Sequence, residues 1–510
     1  MQLHKKANSI LHLNSLSVLA LIFSYGFICL AVIRMLVPIN CTIDNRFFMP
    51  LSFMYLEKGE LANPWTDSSW YQYHSFNWHG FIHPLAVAAV SMGKGWYGVN
   101  SGIIVLGVIT FSLFIILAYS SGTSVKFIIP AALTVVSMII SYSGRIETTA
   151  AILCMLLYST DRGTLTYLDP LIQRITWVLS GILIGTIAAA HPGVLPVVLL
   201  AQTCFIMATY GVRDNNAKRL CISLAVIFGT AIVSFSLLLI FVYPLPAIEW
   251  IDGVARKGAQ LIGSPLQHGG GMDFGDFVRF LLLSKDAPLL FLYSWFLIPI
   301  AFALHRVVLR GKNKALGFVT FVAFVLAAVA LMWRGFSTPA WRYNFTVFVP
   351  SILLIVGSLF KEDQIVKYKT ATLYLLYALA TVALLTQFVF IHQSIRSWQN
   401  AALYNSRLKE IVHNAIDAGL KVGVNGSILT AIDDVDQLRK VGLIWDDAQA
   451  DPAKFDLVIL SQNEHPSKRP IQLENFKIVE VKYDPCCSWL FPRPLNNAFA
   501  AYRSLNQPAR

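Results

Sequence analysis

The chain has 510 residues, of which 56% are hydrophobic and only 13% charged, and its mean hydropathy is +0.59. Soluble proteins carry about a quarter charged residues, so this composition excludes an ordinary soluble domain and predicts a polytopic α-helical membrane protein. The formal charge of +12 does not imply a nucleic-acid partner, because basic residues in a membrane protein chiefly set its orientation.

The N-terminal stretch "MQLHKKANSILHLNSLSVLALIFSYGFICLAVI" has a basic start and an apolar run of spanning length. No small-residue cleavage site follows it, so it is expected to remain as a first helix rather than a removed signal peptide. Apolar runs then recur near residues 101–119, 126–143, 147–159, 175–191, 193–211, 220–243, 289–304, 316–333, 345–360 and 370–392. With the run at 14–37 they predict about eleven transmembrane helices. These spans contain almost no charged residues and no internal repeat is visible, which counts against a secondary transporter.

The connecting segments alternate in character. Lys5 and Lys6, Lys126, Arg162 and Arg174, Arg213 to Arg219, Arg306 to Lys314 and Lys361 to Lys369 form short basic loops. The positive-inside rule assigns these loops and the N-terminus to the cytoplasm, and an odd number of spans then puts the C-terminus outside. The expected location is a bacterial inner membrane, with the loop 38–100 and the segment 244–288 on the extracytoplasmic face. The expected division is a membrane catalytic domain over 1–392 and a small extracytoplasmic α/β domain over 393–510. There "LYNSRLKEIVHNAIDAGL" reads as an amphipathic helix, and "KVGVN", "FDLVILS" and "FKIVEVKYD" as strands. No phosphate loop or catalytic constellation is visible in that domain, which reads as a stabilising or docking module.

Residues with chemistry collect in the outer segments. Asp44 follows the first span and precedes "FFMPLSFMYLEKG", an aromatic segment expected to form short amphipathic helices along the interface. A carboxylate partly desolvated beneath such a roof can act as a general base. His79 and His83 in "NWHGFIHPLAVAAV" have helical i, i+4 spacing that can bind metal, although Pro84 suggests a helix beginning there. Packing or substrate contact is the favoured role for His83. Arg145 and Glu147 in "SGRIETTAAI" either close a tight turn as an ion pair or face the same cavity as Asp44. His191 lies in the turn "HPG". Glu249, Arg256 and Lys257 precede the glycine-rich "QHGGGMDFGDF", read as a connector or as a mobile loop that closes over substrate. Arg334, Arg342 and Tyr343 in "MWRGFSTPAWRYNF" either meet lipid headgroups or hold a lipid phosphate.

The seven cysteines have no C-x-x-C spacing. Cys29, Cys154, Cys204 and Cys221 fall in apolar runs, where a free thiol packs as a small hydrophobe. Cys41 can pair with Cys486 or Cys487 in an oxidising compartment, or all three can stay free.

The aspartate after the first span, "F-x-x-L-E-K-G" behind it and "HGFIHPL" before the next span resemble the GT-C superfamily of integral-membrane glycosyltransferases. The "GRIETTAAILCMLL" hairpin, "AAAHPGVLPVVLL" and the "RY" leading into a Pro-containing span are similar too. This group includes protein O-mannosyltransferases, lipid A aminoarabinose transferases and mycobacterial arabinosyltransferases, and the resemblance covers about residues 10–392. It implies transfer of a sugar from a polyprenyl-phosphate donor to a glycan, lipid or protein acceptor. Asp44 would be the base, and the region of Arg342 and Tyr343 would hold the donor phosphate. Many relatives have a second acid directly after the aspartate. This chain has Asn45, which counts against a paired acid or a metal at that spot, and a divalent cation stays open as a cofactor. A lipid-linked polysaccharide ligase or polymerase, another lipid-phosphate transferase, and a transporter or flippase are the competing readings.

Overall fold

The computed structural model describes residues 49–61, 80–141, 145–166, 169–243, 246–248, 250–251, 312–336 and 347–358 of the membrane part. In the C-terminal part it describes residues 407–425, 432, 434–444, 454–461, 476–482 and 499–505. Two short helices come first, α1 (Met49–Lys58) and α2 (Ile82–Ala89). Long apolar helices follow: α3 (Gly95–Ser120), α4 (Val125–Ser141), α5 (Ile146–Thr166) and α6 (Pro170–Ala190). A 3-10 turn (Pro192–Val194) leads into α7 (Leu195–Ile206), which continues as a π-helix (Met207–Arg213), and then comes α8 (Ala217–Phe241). The later helices are α9 (Lys314–Phe336) and α10 (Val349–Ser358).

Four described segments, Gly95–Ser120, Pro170–Ala190, Pro192–Arg213 and Ala217–Phe241, are long and apolar enough to cross a membrane, so the protein is a helical membrane protein. The expected spans at 14–37, 289–304 and 370–392 lie outside the described residues.

Helix ends follow local chemistry. Asp169 accepts hydrogen bonds from the backbone N–H groups of Leu171 and Ile172 at the start of α6, with Pro170 at its first position. Asn216 caps α8 through the Arg219 N–H. The start of α3 is capped from a distance: the Glu57 carboxylate of α1 accepts the Gly95 N–H at 2.6 Å. The acid in "LEKG" thus satisfies an orphan donor and meets the positive end of the α3 dipole.

Lipid supplies little hydrophobic drive between helices, so they associate through close packing and hydrogen bonds. α6 and α8 approach closely at Gly181 and Gly185, where a Cβ would stand 2.5 Å from the Ile227 carbonyl oxygen and 2.6 Å from the Ala231 carbonyl oxygen. On α6, Trp177 donates to the Tyr210 hydroxyl at 3.0 Å, and the Arg219 guanidinium lies over the Tyr210 ring. Asp161 of α5 accepts from Ser180 of α6 at 3.2 Å and from Gln202 of α7 at 2.9 Å. Asp161 lies just beyond the apolar run expected at 147–159. The apolar run at 147–159 extends as helix to Thr166 and carries Asp161 and Arg162 into contact with neighbouring helices.

The connectivity gathers Lys126, Arg162, Arg174, Arg213, Lys218, Arg219, Lys312 and Lys314 at one end of the bundle. The Lys312 N–H bonds the Val212 carbonyl there, so α9 runs from this end to the opposite one and carries Arg334 on its last turn. α1, α2 and the turns at Arg145 and His191 lie at that opposite end.

Two other expectations change. α1 is short, as expected, but Met49 to Met54 are all buried, so it is enclosed by neighbours rather than lying half-exposed. Cys154 and Cys204 are buried as expected, whereas Cys221 is exposed on the outer helix α8. Cys41, Cys486 and Cys487 lie outside the described residues.

The C-terminal part contains helix α11 (407–417), β1 (Val422–Asn425), α12 (Val435–Lys440), β2 (Val441–Ile444), β3 (Leu457–Ser461), β4 (Phe476–Lys482) and β5 (Phe499–Ser504). The sheet order is β2-β1-β3-β5-β4. β1 is parallel to both β2 and β3, and β5 runs antiparallel between β3 and β4. The three expected strands and the helix are present. β2 was missed because its four residues follow α12 without a turn signal, and β5 because "FAAYRS" has no clear alternation. The boundary expected at residue 392 lies outside the described residues.

This sheet region packs on the membrane helices. Trp96 at the head of α3 stacks on Phe53 of α1 at 4.4 Å, and its indole N–H donates to the buried Ile432 carbonyl at 2.7 Å. Around them Met49, Met54, Val99 and Ile103 form one apolar cluster with Leu408, Val412, Val435 and Leu438. Replacing Trp96 by Phe keeps the ring but leaves the Ile432 carbonyl without its donor. The variant is expected to lose about 1–3 kcal/mol. A lower unfolding temperature together with faster protease cleavage after residue 406 is the check.

Candidate functional site

Three chain segments distant in sequence meet at the end of the bundle opposite the basic loops. The first is the start of α2. Gly80 has φ +74°, a left-handed conformation, and a Cβ there would overlap the carbonyls of Ala189 and Ala190. Because the residue is glycine, the chain can lie against the end of α6, where the Phe81 N–H donates to the Ala189 carbonyl at 2.9 Å. Helix α2 begins at Ile82, so the spacing of His79 and His83 does not form an i, i+4 pair on one helix, and His79 lies outside the described residues. His83 is buried, with Nδ1 at 2.8 Å from the Thr149 hydroxyl of α5.

The second segment is the head of α5. Arg145 Nε and Nη2 donate to the two carboxylate oxygens of Glu147, at 3.1 and 2.8 Å. The side chains are 11% and 3% exposed, which makes this an enclosed, bidentate ion pair. The local pair forms, while Asp44, the other half of the second reading, lies outside the described residues. The pair's burial, however, sets it apart from the solvated pair that closes an ordinary surface turn.

The third segment is the turn after α6. His191 is 5% exposed, and among the described residues neither ring nitrogen has a hydrogen-bond partner. Burial holds its pKa down near 4, with the Glu147 charge opposing the shift and Arg145 adding to it. The imidazole is therefore neutral near pH 7, and it feels both charges of the pair.

The site thus brings together four expected residues: His83, Arg145, Glu147 and His191. Arg334 is placed only by its helix, which ends at this same end. Val347, four residues beyond Tyr343, is buried in one cluster with Ala150 and Val194, near the heads of α5 and α7. Asp44, Lys257, Arg342 and Tyr343 lie outside the described residues. Thr149 was missed, because a threonine inside an apolar helix carries no signal until a partner such as His83 is known.

Among the described residues no three His, Cys, Asp or Glu side chains gather into a metal site. What the group offers chemically is one balanced charge pair and one neutral ring with a free donor and a free acceptor. The chain matches no known protein family, no curated protein and no solved structure.

Replacing Arg145 alone by Met strands the Glu147 carboxylate in a buried place and is expected to cost about 3–5 kcal/mol. The double replacement Arg145→Met with Glu147→Leu should recover most of that loss in the same unfolding measurement. His191 adds a pH effect whose sign is fixed by its low folded value. As pH falls, the unfolded chain takes up this proton first, near the ordinary 6.5, and the folded chain only near 4. The stability is complete above pH 6.5 and is lost progressively down to about 4. A His191→Asn variant should show a shallower fall of melting temperature across that window than the wild type.

Proposed function

We propose that the protein is an extracytoplasmic-face glycosyltransferase of the inner membrane. It would move a sugar from a polyprenyl-phosphate donor to an acceptor hydroxyl, with inversion and with Asp44 as general base. The observation that carries this reading is the cluster of His83, Arg145, Glu147 and His191 at the first-loop end of an apolar bundle. A buried ion pair is not needed for stability, since apolar residues of similar volume do as well. A charge pair beside an unpartnered imidazole at a membrane-protein helix end therefore marks a candidate functional site.

In the proposed step the acceptor oxygen attacks the anomeric carbon while its proton passes to the Asp44 carboxylate. The bond from that carbon to the phosphate oxygen breaks, and the electron pair leaves on the phosphate. Arg334 and Arg342 are the proposed stabilisers of that charge, because they come from the same outer segment and guanidinium suits phosphate oxygens. A single displacement inverts the anomeric centre. Tyr343 and Lys257 are proposed to line the donor side. The basic ends, Lys126 to Lys314, would face the cytoplasm, and the C-terminal sheet region would lie outside with Trp96 and the site.

Two measurements test this. An alkaline phosphatase fused after Arg510 should be active, and an inactive fusion would put the cluster on the wrong face. Asp44→Asn should release polyprenyl phosphate from a lipid-linked sugar about 10²–10⁴-fold more slowly than the wild type. Asp67→Asn, in the same loop but among turn residues, should be much milder. Movement of the lipid-linked sugar across sealed vesicles without any release of polyprenyl phosphate would favour a flippase instead.

A further inference from the structure

We propose that His191 is a contact for the neutral, hydroxyl-bearing sugar of the donor, and that the lipid phosphate is held outside the His83–Arg145–Glu147–His191 group. This inference rests on the glycosyl-transfer reading. It assigns a ligand part to a cluster that the reading leaves undivided.

Charge disfavours the phosphate here. Both carboxylate oxygens of Glu147 are engaged by the Arg145 fork, so the pair has no net charge to offer an anion. A phosphate brought beside His191 would find the Arg145 charge already opposed by the Glu147 carboxylate in an enclosed place. The backbone leaves this balance unchanged. The α5 start is a positive helix end already occupied by Glu147 in its first turn, and the α6 end beside His191 is a negative one.

Hydrogen-bonding capacity favours a hydroxyl. A neutral imidazole has one N–H donor and one bare nitrogen acceptor, and both nitrogens of His191 are buried without a partner among the described residues. A buried polar group without a partner calls for an occupant. An ionised phosphate diester only accepts, so it would leave the bare nitrogen facing an oxygen lone pair. A hydroxyl both donates and accepts, so two neighbouring sugar hydroxyls satisfy both nitrogens together.

The ring is also firmly placed. The Gly80–Phe81 backbone fixes the end of α6, and the His83–Thr149 contact fixes α2 to α5. The end of α6 that leads into His191 is therefore tied to α2, and α2 in turn to α5. Such positioning suits recognition of a ligand with defined stereochemistry.

The test uses the full chain in detergent and four probes: undecaprenyl phosphate alone, and the same lipid carrying glucose, mannose or arabinose. Affinity is read from tryptophan fluorescence, and folding from the ligand-free melting temperature. The wild type is expected to bind at least one sugar-bearing lipid more tightly than the bare lipid. His191→Phe keeps the ring volume and removes both nitrogens. It should bind the bare lipid as the wild type does, and should lose about tenfold in affinity for the sugar-bearing lipid, as for a lost pair of buried hydrogen bonds. His191→Asn keeps a donor and an acceptor on a shorter arm, so it should lose less, and His191→Leu, which again removes both nitrogens, decides the matter if the Phe variant does not fold. If the folded Phe or Leu variant keeps the full preference for the sugar-bearing lipid, the proposal is overturned. It is equally overturned if affinity for the bare lipid falls in step. If the wild type binds none of the four lipids, the glycosyl-transfer reading itself fails. If it binds the bare lipid and a sugar-bearing lipid equally, only the His191 assignment falls.

Discussion

An arginine and a glutamate two residues apart, enclosed at the head of a membrane helix, can only persist if everything around them holds its place. Removing two charges from water is costly, and the bidentate geometry of Arg145 on Glu147 offsets that cost only while the pair stays closed. Closure depends on the elements packed there. The chain at Gly80 must lie against the end of α6, α2 must hold its histidine to α5, and the turn at His191 must stay covered. The pair is thus the point at which sequence-distant segments are obliged to meet.

The opposite end of the bundle is organised by the same logic with different groups. Asp161 reaches both α6 and α7 through Ser180 and Gln202, while its neighbour Arg162 turns to Ser121 at the junction of α3 and α4. Between these two polar ends the helices rely on surface fit. Gly185 lets α6 and α8 approach until side chain meets backbone, and Trp177 and Tyr210 pack edge to face across α6 and the π-helix. Polar ties at the ends and small residues in the middle are how helices without a hydrophobic incentive to associate acquire a unique arrangement.

The C-terminal sheet region belongs to this arrangement. Its apolar residues share one cluster with α1 and α3, and the Trp96 indole bonds the loop between β1 and α12. Glu57 ties α1 to the first amide of α3 from the other side. The first-loop helix is therefore held between the membrane helices and the sheet, beside the segment that carries Asp44 in the sequence. For the proposed transfer this gives the C-terminal part a physical role, because it keeps the covering of the outer face in position.

By itself the sequence determined the class of the protein and the rough place of its helices, because hydropathy over a span of membrane length depends only on composition along the chain. It also determined which residue types lie at each helix end, so His83, Arg145, Glu147 and His191 stood out before any contact was known. In the C-terminal part β1, β3 and β4 were legible from their apolar runs, whereas β2, which follows a short helix without a turn signal, and β5, which lacks clear alternation, were not. Tertiary structure alone decided that the ion pair is enclosed, that His83 meets Thr149, and that His191 has no hydrogen-bond partner among the described residues. It alone showed that Asp161 belongs to the helix packing rather than to a loop, and that Glu57 caps a helix it precedes by 38 residues. Such facts depend on which segments come together, and an apolar pattern fixes the face a helix buries without naming the helix that covers it.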